Sequence, residues 1–334
     1  SVRHKQTQAI WHSRRLLAHW FEPQFNHVPM VDPHPSKSGK ARHQALREST
    51  RAQGVKNFNA PLVRAGLVPR QPKNVHRTDG TFPLSIPVSE TSFFRWYKGR
   101  SGHQKERILR EKKSMHKDAK MDATQKAARY RKLDQRAHHR LAFNIGINTI
   151  IEIGKGRNGE PTHILMLKRG PHVPEAPKYW DLPAGLLRPG ENPREVIQER
   201  AAKELGLPTK KLIRIGPGLQ PTAKDAWFAL HRTDKANNYN GVVIHRADMT
   251  ADEAIRRMEK HLKRQRNDHS KASEFALIPR DPESIRQFLR THDKTWLPEA
   301  LRLYGRELQR NKPSDRQIVR WPFMEQRAKQ AKKV

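Results

Sequence analysis

The sequence predicts a mixed α/β core with a long basic extension before it and a helical basic extension after it. Three observations carry this. Between Phe143 and Lys168, the run Phe143, Ile145, Ile147, Ile150, Ile151 and Ile153 is followed by Asn158-Gly159 and a second apolar run from His163, which reads as two strands around a hairpin turn. From Asn192 to Gly206 the residues carry the start and stop signals of one helix. Asn192 caps, Pro193 suits the first helical position, Glu195 completes a capping box and Gly206 ends it. Finally, the 334 residues carry a formal net charge of +34 and only 35% hydrophobic residues, so one part packs and the rest is polar.

The N-terminal extension is residues 1–141, with roughly 30 Lys and Arg against about 10 acidic residues in the first 140. Residues 6–21 place Trp11, Leu16, Leu17 and Trp20 at helical spacing, predicting a short amphipathic helix, after which Pro23, Pro29, Pro33 and Pro35 end regular structure. Transit peptides share this pattern, and the chain begins at Ser1, so a removed presequence and a start beyond the sequence both fit. From there to about Pro87, isolated apolar residues such as Phe58, Leu62, Val63, Leu67 and Val68 stand among Pro, Arg, Lys, Asn and Ser. Such a segment alone does not offset its ordering entropy, so a partner is expected to order it. Residues 93–100 interleave aromatics with cations, making Arg95, Trp96, Tyr97, Lys98 and Arg100 candidate RNA contacts; an apolar anchor against the core is the other reading. Residues 103–140 read as one long, poorly amphipathic helix, with Lys112, Lys113, Arg131 and Lys132 as candidate phosphate contacts beside Arg14 and Arg15.

The core is residues 142–280. Beyond the capped helix, short strands are expected at residues 212–215, 226–231 and 242–246, a helix at 251–265 and a last strand at 275–278. The C-terminal extension, residues 281–334, opens with Asp281-Pro282-Glu283 as an acid cap with Pro at the first helical position. A second helix at 296–308 places Leu297, Leu301, Tyr304 and Leu308 on one packing stripe, and residues 326–334 form a basic tail. Cysteine is absent, which excludes disulfides and thiolate metal sites, and the 18 His show no zinc-like spacing. No run of about 18 apolar residues exists, so no membrane span is expected. The pI near 10.9 points instead to a polyanionic partner. No cofactor and no homo-oligomer are expected.

The stretch YWDLPAGLLRPGENPREVIQERAAKELGL, residues 179–207, resembles the signature of the Nudix family of diphosphate hydrolases. Gly185, Glu191, Glu204, Gly206 and Leu207 match at the required spacings, and Trp180, Leu182 and Pro183 match the usual lead-in. The fold the resemblance implies is a Nudix-like α/β/α sandwich. The departures fall where the family does its chemistry: Glu199-Arg200 stands for Arg-Glu, and Lys203-Glu204 for Glu-Glu. Positions 200, 203 and 204 share one helix face, where three carboxylates would hold Mg²⁺. Here that face carries Arg, Lys and Glu, a net charge of about +1 instead of about −3. Gly185, Glu191, Arg200, Lys203, Glu204 and Gly206 are therefore expected to be a vestigial box with no catalytic residue and no bound metal.

Basic extensions around such a box resemble the Nudix-like constituents of the mitochondrial large ribosomal subunit. That resemblance implies a non-enzymatic protein of the mitochondrial matrix whose partners are rRNA and other mitochondrial ribosomal proteins. The alternative is an RNA-associated Nudix diphosphohydrolase or mitochondrial mRNA-stability factor, in which Glu204 survives as a metal ligand. A third reading is a domain that binds nucleotide without cleaving it, with Arg200 and Lys203 on the phosphates.

Overall fold

A computed structural model of the chain describes residues 14–27, 61–68, 80–92, 103–118, 121–140, 143–156, 159–170, 178–193, 195–198, 205–233, 238–265 and 272–311. The architecture is the mixed α/β one that the sequence predicts. Its centre is a sheet of eleven strands. Three come from the N-terminal segment: β1 (Arg14–His27), β2 (Pro61–Ala65) and β3 (Phe82–Ser92). Four follow before the middle of the chain, β4 (Phe143–Ile153), β5 (His163–Arg169), β6 (Trp180–Asp181) and β7 (Ala184–Leu186). Then come β8 (Leu212–Ile215), β9 (Trp227–Thr233), β10 (Asn238–Ala247) and β11 (Ala272–Pro279).

The pairings close on themselves. From β4 they run through β2, β3, β1, β9 and β10 and return to β4, so six strands form a ring while β5, β11, β6, β7 and β8 hang from it. β10 and β4 run parallel over nine residue pairs, from Asn238↔Asn144 to Arg246↔Glu152. β2 meets β4 over only Arg64↔Asn144 and Ala65↔Phe143. Closure matters because it gives each ring strand a neighbour on both sides. One core lies on the ring's apolar face, with Leu17, Phe21, Val63, Phe82, Ile86, Ile145, Ile147, Trp227, Tyr239 and Val243 packed together.

The N-terminal segment differs from its expected form. Residues 14–27 are a strand and not the end of a helix over 6–21, and the strand continues through Pro23, which pairs with Leu84 of β3. The cause is local. The register with β9 shifts between Leu16 and Ala18, and Trp20 sits at φ 47°, so Leu17, Ala18 and Phe21 reach one core while Trp20 enters another. This bulge breaks the period-2 alternation and leaves spacings that imitate a helix. Residues 1–13, including Trp11, lie outside the described residues.

The helix expected over 103–140 is two, α1 (His103–Lys117) and α2 (Ala123–Arg140). Asp122 starts the second: its Oδ1 accepts from Gln125 N at 2.8 Å, and Gln125 Oε1 faces Asp122 N at 3.4 Å in return. That is a reciprocal cap, and a helix cannot run through its own N-cap. The later elements fall where expected. α3 is Ala251–Gln265, α4 is Pro282–Thr291 and α5 is Pro298–Arg310. Asp281 caps α4 by accepting from Glu283 N and Ser284 N at 2.9 and 2.8 Å. Leu297, Leu301, Tyr304 and Leu308 are all buried in the core that also holds Ile150, Ile164, Phe228 and Ile244. The basic tail, residues 326–334, lies outside the described residues.

Candidate functional site

The stretch at 179–207 is built as a loop pinned on three sides followed by a helix. Trp180 N donates to Lys294 O at 2.8 Å and Trp296 N donates to Trp180 O at 2.6 Å, so backbone bonds hold the loop to the chain between α4 and α5. The Trp180 ring packs edge-on against Phe288 at 5.6 Å, and Lys168 Nζ lies 5.7 Å from its centroid. Asp181 is buried and fully used: Oδ2 accepts from Arg169 Nη1 at 2.6 Å and Oδ1 from Leu182 N at 2.8 Å. β7 then pairs with β4, setting Gly185 opposite Ile147.

After β7 the chain turns at Gly190, whose φ of +76° suits glycine. Glu191 closes the turn. Its Oε2 accepts from Arg188 N at 2.8 Å, and its own N–H donates to Arg188 O at 3.2 Å. Asn192 O accepts from Glu195 N and Val196 N, both at 3.0 Å, and starts the helix, which is described at Pro193 and residues 195–198. Val196 and Ile197 bury its inner face against Ile145, Ile147 and Leu187. Further on, Leu205 is helical, Leu205 and Leu207 join Met258 of α3, and Gly206 follows at φ +68°, the left-handed conformation that suits a helix end. The backbone angle favours glycine there, and a Cβ on Gly206 would add a tight contact of 3.0 Å to His261 Cβ.

Of the expected box, Gly185 is a strand residue of β7, Glu191 closes the turn at Gly190 and Gly206 sits at positive φ, while Arg200, Lys203 and Glu204 lie outside the described residues. So do Arg95, Trp96, Tyr97, Lys98 and Arg100. Arg14 and Arg15 are on β1 opposite Thr233 and Arg232. Lys113, Arg131 and Lys132 are exposed on α1 and α2. Lys112 departs from its expected role as a phosphate contact: it is 7% exposed, and its carbonyl accepts from Tyr130 Oη at 3.2 Å, which fastens α2 to α1. The structure thus places Gly185 and Glu191 in the loop, and sets the candidate cations of α1 and α2 on a helical pair whose Ile108 shares a core with Leu187, Val196 and Ile197.

Two buried charged clusters were not expected. In one, Glu152 of β4 is held by Arg246, Arg280 and Tyr304. In the other, Thr149 Oγ1 and His245 Nδ1 are 2.9 Å apart, Arg214 Nη1 lies 3.4 Å from His245 Nε2, and Arg214 Nη2 donates to Asp225 Oδ1 at 2.5 Å. Because a guanidinium only donates, Nε2 accepts, and Nδ1–H donates to Thr149. An acid inside the isoleucine run of β4 and a His inside β10 are the signals that sequence reading passes over.

Burial, and then the Arg214 guanidinium, hold the His245 imidazole well below its ordinary range. The native state therefore keeps it neutral while the unfolded chain protonates near pH 6.5. Its stabilisation is complete above about pH 6.5 and is lost as pH falls from there toward the depressed native value. Melting temperatures between pH 7.5 and 5.5 are expected to fall, and less steeply in His245→Gln. A flat profile in the wild-type chain contradicts the assignment.

Residues 150–271 match the model of the NUDIX domain. Among solved structures the chain is similar to a mutT/nudix family protein from Listeria innocua, with 17% identity, 50% of this chain and 94% of that chain covered, and a TM-score of 0.32. It is also similar to the Nudix hydrolase RenU from M. Smegmatis, with 13% identity, coverages of 53% and 91%, and a TM-score of 0.31. A C. elegans Ap4A hydrolase matches at 14% identity, with coverages of 50% and 98% and a TM-score of 0.30. No curated protein matches the chain.

Proposed function

We propose, from the premise that residues 150–271 are a Nudix domain, that this chain is a non-catalytic, RNA-bound scaffold, and specifically a constituent of the mitochondrial large ribosomal subunit. One observation carries the proposal: a chain of net charge +34 puts Arg200 and Lys203 where the Nudix signature has carboxylates. A hard divalent cation takes oxygen ligands, and an Arg-Lys-Glu set offers one carboxylate beside two repelling cations. Glu191, the upstream carboxylate that remains, already accepts from Arg188 N. These residues do not fit Mg²⁺, and no hydrolytic step is assigned to them. Phosphate is the better fit for two cations and for the exposed Lys113, Arg131 and Lys132.

The ties between the segments support a scaffold as well. Strands β1 to β3 complete the ring and α5 lies in the core, so the basic helices α1 and α2 are joined at both ends to one folded body. Endogenous protein from mitochondrial lysate is expected to co-sediment with large ribosomal subunits at high salt, and a position at the top of the gradient contradicts the specific assignment. RNA binding itself is tested with the triple variant Lys113→Gln, Arg131→Gln, Lys132→Gln. Its affinity for a labelled structured RNA is expected to fall roughly tenfold at moderate salt, with a shallower salt dependence.

A further inference from the structure

α3 carries a basic face that nothing above uses. Its inner face is committed: Ala254 and Met258 are buried with Leu205, Leu207 and Met249, and Leu262 packs on the same cluster. Near its start Glu253 accepts from Lys211 Nζ at 2.9 Å and from Arg257 Nε at 3.1 Å, which matches those two cations. Four others are not matched. Arg256, Lys260, Lys263 and Arg264 are exposed, and among the described residues no carboxylate pairs with any of them. With Glu259 they line a shallow concavity of about 390 Å³. Four cations and one acid give that lining a net charge of +3. The helix dipole accounts for Lys263 and Arg264 in the last turn, but not for Arg256 and Lys260, which stand before it.

We infer that this face of α3 docks RNA backbone. Cations at positions 256, 260 and 264 recur every four residues, about 6 Å of helix rise, and form a ladder on one side of the helix. A ladder of flexible cations without an enclosing pocket suits successive phosphates of a strand, and it carries no base selectivity. A membrane surface does not suit it, because an amphipathic helix binds lipid through its apolar face and that face of α3 is inside the core.

The inference rests on the RNA-binding reading above but uses a surface separate from α1 and α2, which allows the two to fail separately. The test compares the full chain with the variant Arg256→Gln, Lys260→Gln, Lys263→Gln, Arg264→Gln, titrated against a labelled mixed-sequence single-stranded RNA at several salt concentrations. The variant is expected to lose roughly tenfold or more in affinity, and its slope of log affinity against log salt is expected to shrink by about 3. Crosslinking of RNA to the wild-type chain is expected to label residues 251–265, a readout that does not depend on how the variant folds. Unchanged affinity and slope, crosslinks elsewhere only, or a loss with unchanged salt slope each overturn the α3 surface while leaving α1 and α2 standing. A wild-type chain that binds no RNA overturns both. Binding to acidic protein but not to RNA overturns the choice of partner.

Discussion

Glu152→Gln is expected to destabilise the fold by about 3–5 kcal/mol, the cost of breaking a buried charge network by removing one partner. The Glu152 side chain has no exposed surface. Its Oε2 accepts from Arg246 Nε at 2.9 Å, with Nη2 at 2.8 Å, and its Oε1 accepts from Arg280 Nε at 2.9 Å and from Tyr304 Oη at 2.6 Å. One carboxylate therefore ties β4 to β10, to the turn after β11 and to α5. Burial, and then the neighbouring Glu152 charge, push the Tyr304 phenol well up, so it remains a donor. Burial works against the Arg280 charge, but Tyr304 and Glu152 outweigh it and raise its pKa. Glutamine keeps the shape but leaves two largely buried guanidinium groups without their anion. Tyr304→Phe removes one hydrogen bond and is expected to cost about 1–2 kcal/mol. Denaturant titrations at pH 7 that rank the two variants in the opposite order contradict this network's role.

Gly241→Ala is expected to cost about 3 kcal/mol or more, at the upper end of overpacking effects. A Cβ at this point of β10 would overlap the six-membered ring of Trp227. The ring has no room to withdraw. Trp227 is fully buried, its centroid lies 5.7 Å from that of Phe21 and 6.0 Å from that of Phe25, and its Nε1 donates to Asp225 Oδ1 at 3.3 Å. Combining Gly241→Ala with Trp227→Leu is expected to cost clearly less than the sum of the two, because the smaller side chain makes space for the methyl. Additive costs contradict direct contact as the cause.

The sequence made the second half of the fold legible because its signals agree at several levels. Asp281-Pro282 marks the start of α4, α3 occupies the predicted residues, and Gly206 takes the left-handed conformation that suits a helix end. The N-terminal strands were hidden for physical reasons. In β3, Phe82, Leu84, Ile86 and Val88 alternate inward, but Pro83 and Pro87 stand between them, and proline argues against a strand inside a sheet. In β1 the bulge and the left-handed Trp20 replace alternation with false helical spacing. The turn of the candidate site was legible from Gly190, which takes the positive φ that suits glycine, and from Glu191, whose carboxylate accepts from Arg188 N. The His245 and Glu152 clusters were not, since the pairings of β10 with β4 and with β8, the turn after β11 and the return of α5 bring their members together.

Residues 150–271, which match the NUDIX domain and carry cations at positions 200 and 203, are proposed to serve as an RNA-bound body and not as a hydrolase. The measurement that tests this most directly is turnover by the purified full chain with Mg²⁺ or Mn²⁺, against dinucleotide diphosphates and capped RNA. The account predicts no turnover above buffer, in the wild-type chain and in Glu204→Gln alike. Turnover in the wild-type chain that disappears in Glu204→Gln would contradict it.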